Sequence, residues 1–86
     1  MYQVLLFYKY VTIEHPEDLK ETYTALCKKY DLKGRTIIAE EGINGTLEGT
    51  TENTEGFLRE FLVDARFSDI HIKRSKGDGA SFPKLS

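Results

Sequence analysis

The densest gathering of groups able to do chemistry is Glu40-Glu41-Gly42-Ile43-Asn44-Gly45, with Arg35 five residues upstream. Neighbouring carboxylates on a strand point to opposite faces, so Glu40 and Glu41 cannot act as a facing acid and base from this segment alone. They suit the solvated end of a strand, with ligand binding or domain docking as the alternative role. Arg35 carries a planar fork that matches a carboxylate or phosphate; an arginine opening a strand also serves as a solvated edge residue. Asn44-Gly45 is a tight-turn signal, which by itself explains both residues. Arg35, Glu40, Glu41 and Asn44 are the candidate binding residues, and no catalytic set emerges.

The other reactive side chains stand apart. Cys27 is the single cysteine, placed beside the apolar stripe of an expected helix and with no histidine near it. A thiol needs an electropositive setting to become a nucleophile, so this one reads as quiet and half-buried. With no second cysteine, zinc-ligand spacings cannot be built, and neither a metal nor a cofactor is expected in this chain. His15 and His71 read as a helix-entry residue and an exposed strand residue. Tyr8 and Tyr10 could stack on bases, as aromatics do on the sheet of an RNA-recognition motif. The basic and aromatic consensus of that motif is missing, however, and Asn44-Gly45-Thr46-Leu47-Glu48-Gly49 stands in its place.

These residues are carried by 86 residues of ordinary globular composition, 40% apolar and 30% charged, with a formal net charge of −2. One domain with a modest core is expected. No apolar run approaches the roughly 20 residues that cross a bilayer, and the start lacks the features of a signal peptide, so a cytoplasmic protein without membrane contact is expected. Interleaved charges of both signs argue against an autonomous nucleic-acid binder, since phosphate contacts need a basic face.

Residues 2–11 form a nearly unbroken apolar and aromatic run, suited to a central strand, with Leu5 and Phe7 on one face and Val4, Leu6, Tyr8 and Tyr10 on the other. Pro16, Glu17 and Asp18 open a helix whose stripe is Leu19, Tyr23, Leu26 and Tyr30, ending where Asp31 takes a left-handed conformation. Strands are expected at about 35–41 and 45–50, joined through Gly42-Ile43-Asn44-Gly45. Thr50 and Thr51 offer N-caps to a second helix with the stripe Thr54, Phe57, Leu58, Phe61 and Leu62. A last strand from Phe67 to Arg74 places Ile70 and Ile72 inward, His71 and Lys73 outward. The order β-α-β-β-α-β implies an α+β, ferredoxin-like (acylphosphatase-like) sandwich, a four-stranded antiparallel sheet with two helices on one face. Residues 1–76 would form this domain, and 77–86 a linker or the start of a further segment. The aromatic far face of the first strand would need a cover. Phosphatase chemistry is disfavoured, because the loop Val11-Thr12-Ile13-Glu14-His15-Pro16 holds an acid and neither glycine nor arginine.

Beyond these readings, the chain resembles the rhodanese-domain-containing tRNA uridine hydroxylases. The likeness begins at Phe7-Tyr8-Lys9-Tyr10-Val11 and continues through Leu32-Lys33-Gly34-Arg35. It is densest at Ala39-Glu40-Glu41-Gly42-Ile43-Asn44-Gly45-Thr46 and recurs at Arg66-Phe67-Ser68-Asp69-Ile70 and Phe82-Pro83-Lys84-Leu85-Ser86. Asp31 departs from it, standing where glycine is more usual. The resemblance implies a non-catalytic N-terminal domain of an oxygen-dependent enzyme that forms 5-hydroxyuridine at the tRNA wobble position. Its essential cysteine would lie in a rhodanese domain beyond Ser86, so Cys27 is not that residue. The implied partners are that rhodanese domain, docked on the sheet face of Tyr8 and Tyr10, and tRNA through the full-length protein. A stand-alone module binding a small ligand or a protein is the alternative.

Overall fold

The computed structural model describes residues 1–86. The apolar N-terminal run becomes β1 (Tyr2–Tyr10), paired along its length with β3 (Gly42–Thr50) on one side and with β4 (Ile72–Gly77) on the other. β2 (Lys33–Ala39) joins β3 at the far edge, which gives the antiparallel order β2-β3-β1-β4. Helices α1 (Pro16–Lys29) and α2 (Thr51–Phe61) complete the expected ferredoxin-like order. Neither is long and apolar enough to cross a membrane.

Both helices lie on one face because alternation sends Leu5, Phe7, Ile43 and Leu47 to that side. There they form one core with Leu19, Tyr23 and Cys27 of α1 and Phe57, Leu58 and Phe61 of α2. α1 starts at Pro16 with Glu17 and Asp18 in its first turn, where acids complement the dipole. It ends in a Schellman arrangement: Asp31 takes a φ of 54°, its N–H donates to the Lys28 carbonyl, and the Leu32 N–H donates to the Cys27 carbonyl. The Thr50 hydroxyl caps α2 by accepting from the Asn53 N–H at 3.0 Å.

The structure corrects the sequence reading at three places. The hairpin apex is Glu40-Glu41, ahead of the expected connection Gly42-Ile43-Asn44-Gly45; β2 ends at Ala39 and β3 already begins at Gly42. Backbone pairing beyond the hairpin decides this, because the Glu41 and Glu40 carbonyls accept from the Val11 and Ile13 N–H groups and pin the apex to the chain leaving β1. The positive φ falls at Gly42, at 150°, where a side chain would collide with the Lys9 carbonyl. Gly45 lies within the strand opposite Phe7, whose ring would be 2.6 Å from an added Cβ, so its missing side chain makes room for a core aromatic.

β4 starts at Ile72, later than expected. The Phe67 N–H donates to the Asp64 carbonyl and the Ile70 N–H to the Phe67 carbonyl, folding 64–70 into successive turns. Phe67 is thereby fully buried, its ring 5.0 Å from Phe61 in a stacked pair. Arg74 holds β4 to α2 through both oxygens of Glu55, and the Glu55 carboxyl falls below its usual range mainly because of that bond.

Residues 77–86, expected as a linker or the start of a further segment, strap the sheet. Leaving β4, the chain crosses the face away from the helices, where Glu48 is buried and accepts from the N–H groups of Asp78, Gly79 and Ser81 and from the Ser81 hydroxyl. It then reaches the opposite edge, where Gly34 donates to the Lys84 carbonyl and accepts from the Ser86 N–H in a parallel bridge with Leu85. One buried carboxylate thus gathers four donors that the glycine-rich tail could not satisfy by itself.

Two expectations test this arrangement. Gly45→Ala should lower stability in urea by roughly 1–3 kcal/mol through overpacking against Phe7, while Asn44→Ala on the exposed side of the same strand stays within about 0.5 kcal/mol. A tight turn at Asn44-Gly45 would reverse that ranking. Glu48→Ala should cost about 1–3 kcal/mol by leaving several backbone donors unpaired, and residues 78–86 should become the first site of limited proteolysis. An unchanged cleavage pattern contradicts the strap.

Candidate functional site

The sheet has one face without helices, and register determines what it shows. Opposite one another across β2, β3 and β1 stand Ile37, Asn44 and Tyr8; in the next row stand Arg35, Thr46 and Leu6, with Lys73 of β4 beside Leu6. The row after that is Lys33, Glu48, Val4 and Ser75, the level at which the tail crosses. The strap therefore covers one end of the face and leaves the other bare: Tyr8 is 67% exposed, Tyr10 84% and Ile37 65%. Singly exposed apolar residues are ordinary, whereas adjacent exposed aromatics on a rigid sheet mark a contact surface.

The Tyr8 and Tyr10 rings lie 6.3 Å apart, edge to face. Between Tyr8, Tyr10, Ile37, Glu41 and Asn44 is a cleft of about 140 Å³. A broader depression of about 750 Å³ lies on the β4 side of the tyrosines and reaches His71 and Lys73. Of the residues singled out in the sequence, the structure gathers Tyr8, Tyr10, Glu41 and Asn44. Arg35 stands one row away on the same face, and Glu40 stays at the hairpin apex, where its backbone carbonyl has the structural role.

Charge on this face is unbalanced. Lys9, Lys20, Lys29, Arg66 and Arg74 are each paired with a carboxylate, whereas Lys33, Arg35 and Lys73 on this face have none, as is also true of Lys28, Arg59, Lys76 and Lys84 elsewhere. The acid on the sheet itself, Glu48, is buried under the strap, and Glu40 and Glu41 stand at the rim. The chain is acidic in total, but its open face presents free cations beside aromatic rings. Net charge hid this from the sequence reading, as did the register that brings Lys73 and Ile37 to the tyrosines. Alternation along each strand contained that signal, but only pairing aligns the strands.

No nucleophile or acid–base pair occupies the face. Cys27 lies within the core, fully buried, and burial pushes its thiol up to about 12. The pocket beside the first loop, lined by Thr12, Glu14, His15, Asp18 and Thr22, includes Arg66, but that guanidinium is held by both oxygens of Asp64. Two further acids line the pocket, so it repels a phosphate. Nowhere do three His, Cys, Asp or Glu side chains gather as a metal site would need. The face presents aromatic rings, cations without ion-pair partners and the Asn44 amide.

By fold, the chain is similar to part of a bacterial light-regulated adenylyl cyclase, with a TM-score of 0.77 at 18% identity, covering 99% of this chain and 26% of that one. It is also similar to part of full-length HypF, with a TM-score of 0.63 at 17% identity, covering 98% of this chain and 11% of HypF. In sequence it is 46% identical over 84 residues to the tRNA uridine(34) hydroxylases of Staphylococcus aureus strains Newman and USA300. That likeness takes in 98% of this chain but spans 26% of the length of those relatives. Residues 2–86 match the UPF0176 acylphosphatase like domain, and the chain belongs to that family.

Proposed function

We propose that this domain is the non-catalytic N-terminal part of an oxygen-dependent tRNA uridine hydroxylase, which docks on the enzyme's rhodanese domain and helps form the site for tRNA. The observation that carries the reading is 46% identity, sustained over 98% of the chain, to enzymes nearly four times as long. The chemistry of the present residues supports a supporting role. The only thiol is sealed in the core. Oxygen chemistry on a uracil ring would then belong to the remainder of the polypeptide. This domain would supply a rigid sheet and an extended contact surface.

The test is complementation in a strain lacking the enzyme, with 5-hydroxyuridine in tRNA measured by mass spectrometry. The full-length protein should restore the modification, and a version lacking residues 1–86 should not. Residues 1–86 by themselves should restore none. Modification by the isolated domain, or full activity without it, overturns the reading. Cys27→Ala in the full-length protein should leave the modification within about twofold of normal, since a thiol with so high a pKa has a negligible thiolate population near neutrality; a folded variant without activity would place Cys27 in the chemistry.

A further inference from the structure

We propose that the bare end of the open sheet face is a stacking platform for unpaired nucleotides of the RNA substrate, with bases on Tyr8 and Tyr10 and phosphates beside Arg35 and Lys73. The inference rests on the tRNA reading above and assigns a part of that site to named residues. It revises the expectation that Tyr8 and Tyr10 dock on the rhodanese domain.

Three features favour RNA over a protein domain as the occupant. Tyr8 and Tyr10 are alternate residues of a central strand, so their rings project from the same rigid backbone, and they are 67% and 84% exposed. Exposed rings on such a backbone can accept the π-face of any base, which is how single-stranded nucleic acid is held without sequence reading. Cations stand one row from Tyr8, level with Leu6, Arg35 two strands away on β2 and Lys73 on the neighbouring β4, and neither has an ion-pair partner. An apolar protein surface laid here would bury those charges unpaired, at considerable cost, whereas a phosphodiester backbone would neutralise them. Lastly, the face is bounded: the Glu48 strap closes one end, and Glu40 and Glu41 stand at the other, with Glu41 lining the cleft beside Tyr8 and Tyr10. Asn44, exposed between Ile37 and Tyr8, brings an amide able to donate to and accept from a base edge.

The experiment uses the full-length protein, an unmodified tRNA, a single-stranded uridine oligomer and a duplex RNA of matched length. Tyr8→Ala with Tyr10→Ala should weaken binding of tRNA and oligomer by at least tenfold, with little effect on the duplex, given about 1–3 kcal/mol per stacked base. Arg35→Ala and Lys73→Ala should each weaken binding and reduce the log–log salt slope by about 0.7. Lys20→Ala, on α1, should alter neither. All four substituted side chains of the face are exposed, so folding is expected to survive, and circular dichroism checks it. Nitration by tetranitromethane adds a separate readout: Tyr8 and Tyr10 should be modified in the RNA-free protein and protected by the oligomer. Wild-type affinity and slope in the variants overturn the proposal, as does protection of both tyrosines before RNA is added, which would return the face to the rhodanese domain. The underlying reading is scored separately by the wild-type protein's hydroxylation of tRNA. Tyrosine-dependent oligomer binding without hydroxylation would leave the platform standing and remove the enzyme assignment.

Discussion

The pairing of β1 with β3 is the constraint on which the rest of the structure depends. Phe7 faces Gly45 and Leu5 faces Leu47, so the strand position opposite the Phe7 ring is occupied by a residue without a side chain. A slip of one residue would turn Leu5 and Phe7 to solvent and drive Leu6 and Tyr8 toward the helices, so the register is strongly specified. With it set, the aromatic cluster of Phe7, Tyr23, Phe57, Phe61 and Phe67 closes beneath the sheet. The same alternation leaves Leu6, Tyr8 and Tyr10 on the far side. Core and contact surface are two consequences of one pairing.

The tail divides that far side. A carboxylate in the middle of a sheet would ordinarily stay wet, and Glu48 is buried only because the chain returns to it with three backbone donors and a hydroxyl. The strap covers the Val4 and Glu48 level and then adds hydrogen bonds along the edge of β2, protecting an otherwise unpaired strand. What remains exposed is therefore bounded, and it combines aromatic rings with unpaired cations. A small acidic chain can in this way present a local surface whose character is opposite to its total charge.

Much of this was legible in the sequence. Periodicity placed both helices, Pro16 and Asp31 marked the ends of the first, and the apolarity of residues 2–11 identified the central strand. Asn44-Gly45 misled, because the local turn preference of that pair is weaker than the demand of Phe7 for space and of Val11 and Ile13 for acceptors, both made by residues distant in sequence. The tail misled for a similar reason: its glycines and serines read as a linker until Glu48, some thirty residues earlier, is known to face it. At the candidate site, Tyr8, Tyr10 and Arg35 were visible as residue types. Their common face with Lys73, and the absence of ion pairs there, required strand order.

The central claim is that this domain supports a tRNA enzyme by lending it the open sheet face. Photocrosslinking tests it most directly: tRNA carrying 4-thiouridine is irradiated in complex with the full-length protein, and the adducts are located by mass spectrometry. The account predicts adducts on Tyr8 or Tyr10, lost when single-stranded RNA competes. Adducts confined to residues beyond Ser86, with none on this sheet, would contradict it.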